Sequence, residues 1–135
     1  MAPFSSGPNM ALIHPAHITI AFNERINNRD LAGLEELMAE DHVLHRATGR
    51  RVSGRAHCMA VWDEFFRTVP NCFSAFEKVI TKDHGVVIAT GSILCSQDSM
   101  AGPALWMARV RDGVLLEWVM MSDTPENRRH FGLAG

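Results

Sequence analysis

The chain has 135 residues, of which 47% are apolar and 21% charged, with a formal net charge of -2. This length suits one domain, and the apolar content is enough to form a core, which argues against disorder as the main state. With no basic excess there is little to neutralise a phosphate backbone, so nucleic acid is not an expected partner.

The elements can be read in chain order. Residues 1–13 carry two prolines, a glycine and two serines and are expected to form a loose tail ahead of a single domain over 14–135. His14-Pro15 opens a first helix whose apolar face is Ile18, Ala21, Phe22 and Ile26. Asn27-Asn28 breaks that pattern. Asp30 is placed to cap a second helix, with Leu31, Leu34, Leu37 and Met38 at helical spacing, ending at Glu40-Asp41. A short extended segment, His42 to Arg46, leads to Ser53, the expected cap of a third helix. The stripe of that helix is Met59, Trp62, Phe66 and Val69, with Cys58, Val61 and Phe65 alongside, and Pro70 stops it.

The remainder reads as strands, Cys72–Thr81, Val86–Gln97, Leu105–Arg111 and Val114–Met121. Asp112-Gly113 between two apolar runs is a hairpin turn signal. Asp123-Thr-Pro-Glu126 has capping-box form and opens a last short helix at Asp123. Helices followed by antiparallel strands predict an α+β fold, three helices packed on one face of a sheet. Trp106, Ala108 and Val110 share one strand face, as do Leu116, Trp118 and Met120. Leu105, Met107, Val119 and Met121 lie on the opposite face.

Cys58, Cys72 and Cys95 are odd in number and widely spaced, and are expected to be reduced and structural. The N-terminal stretch lacks a basic segment and a long apolar run, so it does not read as a signal peptide, and the apolar runs are too short to cross a membrane; a cytoplasmic location is expected. His42 and His45 are spaced HxxH, but on a strand they point to opposite faces, so no metal site is expected. Arg46, Arg50, Arg51 and Arg55 cluster before the third helix. They read first as a solvated face and second as an anion site.

The element order and several phrases resemble the nuclear transport factor 2-like superfamily, in its SnoaL-like polyketide cyclase and ketosteroid isomerase-like branch. The phrases are Ala21-Phe-Asn…Asn28-Arg-Asp-Leu-Ala-Gly-Leu-Glu-Glu-Leu-Met-Ala-Glu-Asp, Val52-Ser-Gly-Arg-Ala…Trp62…Phe65-Phe66…Val69-Pro70, Ala108-Arg-Val-Arg-Asp-Gly-Val…Glu117-Trp118 and the tail Arg129-His-Phe-Gly-Leu133. The resemblance implies a strongly curved sheet wrapped around the helices as a cone, with an apolar small-molecule pocket at its open end. It also implies homodimers through the outer sheet face, which would place Leu105, Met107, Val119 and Met121 at the interface.

Carried over by position, the resemblance removes chemistry as well as adding it. The aspartate and histidine of the cyclases fall on Met120 and Trp106, which cannot exchange protons, and the aspartate of limonene epoxide hydrolase also falls on Met120. The tyrosine of the ketosteroid isomerases falls on Phe22, their oxyanion aspartate near Trp106, and their base on His45 or, one residue on, Arg46. His45 is thus the candidate catalytic residue, because an imidazole can both accept and donate a proton, whereas His42 is expected on the solvated face. The expected pocket lining is Phe22, Met59, Trp62, Phe66, Trp106, Ala108, Trp118 and Met120, with no cofactor. Three readings follow: an acid/base enzyme acting on an apolar polyketide-, terpenoid- or steroid-like substrate through His45, a non-catalytic binder of an apolar small molecule, or an interaction module using the outer sheet.

Overall fold

The structure, a computed structural model, describes residues 14–46 and 48–133; the expected tail over 1–13 lies outside the described residues. Helix α1 (Pro15–Asn27) begins where the sequence places it, with Pro15 in its first turn and the His14 ring accepting the Ala16 N–H. Its apolar stripe, Ile18, Ala21, Phe22 and Ile26, is buried. Helix α2 (Leu31–Leu37) is capped by the Asp30 carboxylate, which accepts the Gly33 N–H at 2.9 Å.

The expected end of α2 is corrected. The helix stops at Leu37, and Met38 opens strand β1 (Met38–His45). Met38 pairs with Leu115 from the far end of the chain, and that non-local pairing overrides local helix propensity. Strand β2 (Arg51–Ser53) runs antiparallel to β1. Helix α3 (Arg55–Thr68) is capped by Gly54, at φ 95°, and not by Ser53, whose backbone stays paired with Val43.

Strands β3 (Cys72–Thr81), β4 (Val86–Cys95), β5 (Gly102–Arg111) and β6 (Val114–Ser122) follow, then helix α4 (Pro125–His130). Asp112 and Gly113 both have positive φ, as the tight β5–β6 turn requires. The cap of α4 is Thr124, whose Oγ1 accepts the Asn127 N–H. Asp123, the expected cap, instead takes two hydrogen bonds from the Arg128 guanidinium, at 2.6 and 2.9 Å.

The six strands form one sheet in the order β2-β1-β6-β5-β4-β3. All neighbours are antiparallel except β1 and β6, which run parallel, a difference from the wholly antiparallel expectation. The inner face, with Val87, Ala89, Trp106, Ala108, Val110 and Trp118, closes over α1. A register shift between Arg109 and Val110 turns Leu115 into the core in place of Leu116, so simple alternation fails there. A second irregularity lies between Phe76 and Lys78. Opposite it, Gly91 lies so close to the Ala75 backbone that a β-carbon would collide with it.

Strand β3 is an edge strand, and α1 supplies what its free edge lacks. The Asn27 amide accepts the Ser74 N–H at 2.8 Å and donates to the Ser74 carbonyl at 2.9 Å, while Asn23 donates to the same carbonyl at 3.0 Å.

The expectation of three reduced cysteines is corrected. Cys72 and Cys95 face each other on β3 and β4 and form a disulfide, with a Cα–Cα distance of 4.2 Å. Directly opposed cross-strand residues come within disulfide reach, a proximity that their 23-residue separation hides. Cys58 alone keeps its thiol, buried, with burial pushing its pKa up. The expected cytoplasmic location rested in part on the reduced reading. No helix among the described residues is long and apolar enough to cross a membrane.

Replacing Asn27 by Ala leaves the Ser74 N–H without its acceptor and the Ser74 carbonyl with Asn23 alone. The expected loss is about 1–3 kcal/mol of unfolding free energy, measured by urea denaturation.

Candidate functional site

Between the inner sheet face, α3 and the β4–β5 loop lies a cavity of about 380 Å³. Its aromatic wall is built from three elements. Helix α3 contributes Val61, Trp62 and Phe65, β5 contributes Trp106, and β6 contributes Trp118 and Met120. Ile26, Leu44 and Ile93 fill between them, Ser99 and Met100 from the β4–β5 loop face them, and Ser74 and the disulfide half Cys72 border them. Helix α3 buries only Cys58 outright. Its aromatic stripe overlooks the cavity, with Trp62 edge-on to Phe65 at 5.8 Å and to Phe22 at 6.3 Å. The rings are keyed to the core through Phe22 on Trp118 (4.7 Å) and Phe76 on Trp106 (4.8 Å).

Of the eight side chains expected to line a pocket, the structure brings Trp62, Trp106, Trp118 and Met120 together around this cavity. Phe22 and Ala108 are fully buried behind the wall, and Met59 and Phe66 pack against the core without lining it. Phe65 and Val61 were visible as flanks of the α3 stripe. Ser99 and Met100 lie in a loop with no periodic signal to find them.

His45 borders the cavity as expected but is bonded on the outer face, whereas His42 leaves the expected solvated face for the core. Leu44 pairs with Trp118 and shares its inner face, so alternation sends His45 outward and His42 inward. His45 borders the cavity, but its Nε2 is hydrogen-bonded to Glu117 Oε2 at 2.8 Å, on the outer face, where Glu117 also accepts from Arg109 at 2.8 Å. Burial pushes the Glu117 carboxyl up, but the His45 and Arg109 hydrogen bonds, with the Arg109 charge, outweigh it and hold the group below the ordinary carboxylate value.

His42, expected in solvent, is fully buried. Its Nδ1–H donates to the Leu115 carbonyl at 2.9 Å, and its Nε2 has no hydrogen-bond partner. Desolvation lowers its pKa, against smaller opposing contributions led by that hydrogen bond, so the ring is neutral at pH 7.

The outer-face expectation is also corrected. Leu105 and Val119 are already buried within the single chain, and only Met107 and Met121 remain half-buried. These two, with Val119, floor a shallow groove of about 350 Å³ that His130 and Phe131 at the end of α4 help to wall. Among the described residues, no aspartate or glutamate lines the inner cavity and no cluster could hold a metal ion.

A model of the SnoaL-like domain matches residues 19–122, most of the described chain. The chain belongs to the SnoaL-like domain family. No curated protein matches it by sequence. Among solved structures it is similar to a loop-truncation variant of IdmH, at 24% identity over 81% of this chain and 92% of that one, with a TM-score of 0.67. It is also similar to a protein from Shewanella putrefaciens assigned as a SnoaL-like polyketide cyclase, at 13% identity over 87% and 86% and a TM-score of 0.70. A third is assigned as a ketosteroid isomerase, from Kribbella flavida, at 15% identity over 87% and 86% and a TM-score of 0.67. At these identities the likeness shows the fold, the curled SnoaL-like sheet around its helices, and leaves the chemistry to the residues present.

The buried His42 gives a pH dependence with a definite sign. Its pKa is lower in the folded than in the unfolded chain, so the unfolded state binds the extra proton first, and stability falls as pH drops below about 6.5. The loss should be smaller in His42→Gln, measured by urea denaturation between about pH 7.5 and 5.

Proposed function

We propose that the cavity binds an apolar, ring-containing small molecule and that the protein acts by holding it, without proton transfer from a side chain. One observation carries this reading: aromatic and methionine side chains converge on a cavity that no carboxylate among the described residues lines. A volume of about 380 Å³ and a mostly apolar wall suit a ligand site. Trp106 and Met120, where the family resemblance places the acid and base of the cyclases, are direct cross-strand partners, and both line the cavity. Both positions keep apolar side chains in the wall where the cyclases carry their acid and base, which supports a holding role over proton transfer. Relatives assigned as a polyketide cyclase and a ketosteroid isomerase favour a polycyclic polyketide-, terpenoid- or steroid-like ligand.

The enzyme reading retains one supporting observation, the His45–Glu117 pair at 2.8 Å beside the cavity. Proton transfer through His45 would require its ring to turn away from Glu117 and inward.

All three tryptophans of the chain line the cavity, so their fluorescence reports occupancy directly. An apolar polycyclic probe such as pyrene should quench it saturably. Phe65→Ala should weaken binding by about tenfold, as removal of a buried aromatic contact does. Val61→Trp, which fills the cavity, should abolish it while the circular dichroism spectrum is kept. Unsaturable quenching, or quenching unchanged in both variants, counts against the reading.

The outer sheet face is proposed as the contact between two copies. Its apolar surface includes the cross-strand pair Phe73 and Leu94, which are 50% and 60% exposed, and the half-buried Met107 and Met121. Sedimentation should show a dimer, and Met107→Glu should raise its dissociation constant by about tenfold or more, because a lone charge would be desolvated.

A further inference from the structure

Of the four arginines that cluster in the sequence before α3, the structure singles out one. Arg55 donates to the Met38 carbonyl at 3.4 Å, and Arg50 and Arg51 are exposed away from the cavity. Arg46 lines the cavity. It follows Leu44 and His45 at the end of β1, and alternation returns it to the side that Leu44 faces. Its backbone N–H is bonded to the Arg50 carbonyl at 2.8 Å, which closes the turn and fixes the residue's place at the rim. Thr48, Ser99 and Met100 line the same cavity, and Arg46, Thr48 and Ser99 are exposed, which puts these three at its mouth.

The guanidinium of Arg46 has no hydrogen bond or ion pair to any described residue. Its charge is also not neutralised from within the cavity. Among the described residues no aspartate or glutamate lines the wall, and the nearby Glu117 is taken by His45 and Arg109. An uncompensated cation at the mouth of a cavity with apolar walls makes a positive potential that water screens less than on an open surface. The walls offer nothing to a second charge.

On the reading that the cavity binds an apolar small molecule, we infer that its ligand is an apolar ring system bearing one carboxylate. The rings lie against Trp62, Trp106 and Trp118, and the carboxylate sits at the rim, held by the Arg46 guanidinium. A carboxylate matches the planar fork of arginine with two parallel N–H···O bonds, and the Thr48 and Ser99 hydroxyls are further donors at the same rim. A cationic ligand would meet repulsion there. A neutral one would leave the guanidinium in water and gain nothing from it.

The test compares 1-pyrenebutyrate with its methyl ester at neutral pH, by quenching of tryptophan fluorescence. The two share one apolar body and differ in charge. The carboxylate should bind about tenfold more tightly than the ester, the size of a charge-assisted hydrogen bond partly shielded from water. Arg46→Gln should bring the carboxylate down to the ester's affinity and leave the ester unchanged, and Arg50→Gln should leave the preference intact. Equal binding of acid and ester to the unaltered protein overturns the inference while the apolar cavity reading stands. A preference that survives Arg46→Gln, or that Arg50→Gln removes as completely, overturns it too, because the selectivity would then come from the general field. Absence of saturable quenching by either probe overturns both readings together.

Discussion

An edge strand leaves a row of backbone donors and acceptors without a neighbour, and those that are covered must find partners elsewhere. In this chain β3 is one of the two edge strands, and at Ser74 the partners are the side-chain amides of Asn23 and Asn27 on α1. The helix thereby stands in for a missing strand over one residue and is fixed against the end of the curled sheet. Ile26, beside Asn27, and Ser74 itself both border the cavity, so the clamp sets one side of it. From there the aromatic packing follows: Phe22 of α1 reaches Trp118, and Phe76 of β3 reaches Trp106. Helix α3 closes the opposite side with a face that it only partly buries.

Charge is sorted between the two faces of the sheet by strand parity. Leu44 takes the inner position opposite Trp118, and that one choice places His45 with Glu117 and Arg109 outside and His42 inside. The interior histidine is kept neutral by desolvation, so the inner face carries no formal charge from β1 until Arg46 at the rim. A one-residue change of register would have reversed the arrangement and turned the hydrogen-bonded His45 and Glu117 toward the cavity.

The parts of this structure that were legible in the sequence are those fixed by near neighbours. The stripe of α1, the Asp30 cap and the Asp112-Gly113 turn each depend on residues a few positions apart. The tryptophan faces of β5 and β6 were readable because alternation holds across Trp106–Ala108 and Trp118–Met120. What was not readable depends on distant partners. The end of α2 is set by Leu115, the inner place of His42 by Leu44 opposite Trp118, and the burial of Leu115 by a bulge that no local pattern announces. The Cys72–Cys95 bond follows from strand register, and the cavity residues Ser99 and Met100 sit in a loop whose sequence carries no period.

The parallel pairing of β1 with β6 joins segments more than seventy residues apart, bridged also by the His42–Leu115 hydrogen bond. Such a pairing cannot form on the ribosome as β1 emerges, because its partner has not yet been made. Until then β1 has only the three residues of β2 to pair with, and its buried groups, Met38, His42 and Leu44, stay in water. The antiparallel run from β3 to β6 can zip up from neighbour to neighbour as it leaves the tunnel, whereas β1 must wait for β6. The β1–β6 pairing therefore follows the synthesis of both strands and closes the longest loop in the sheet.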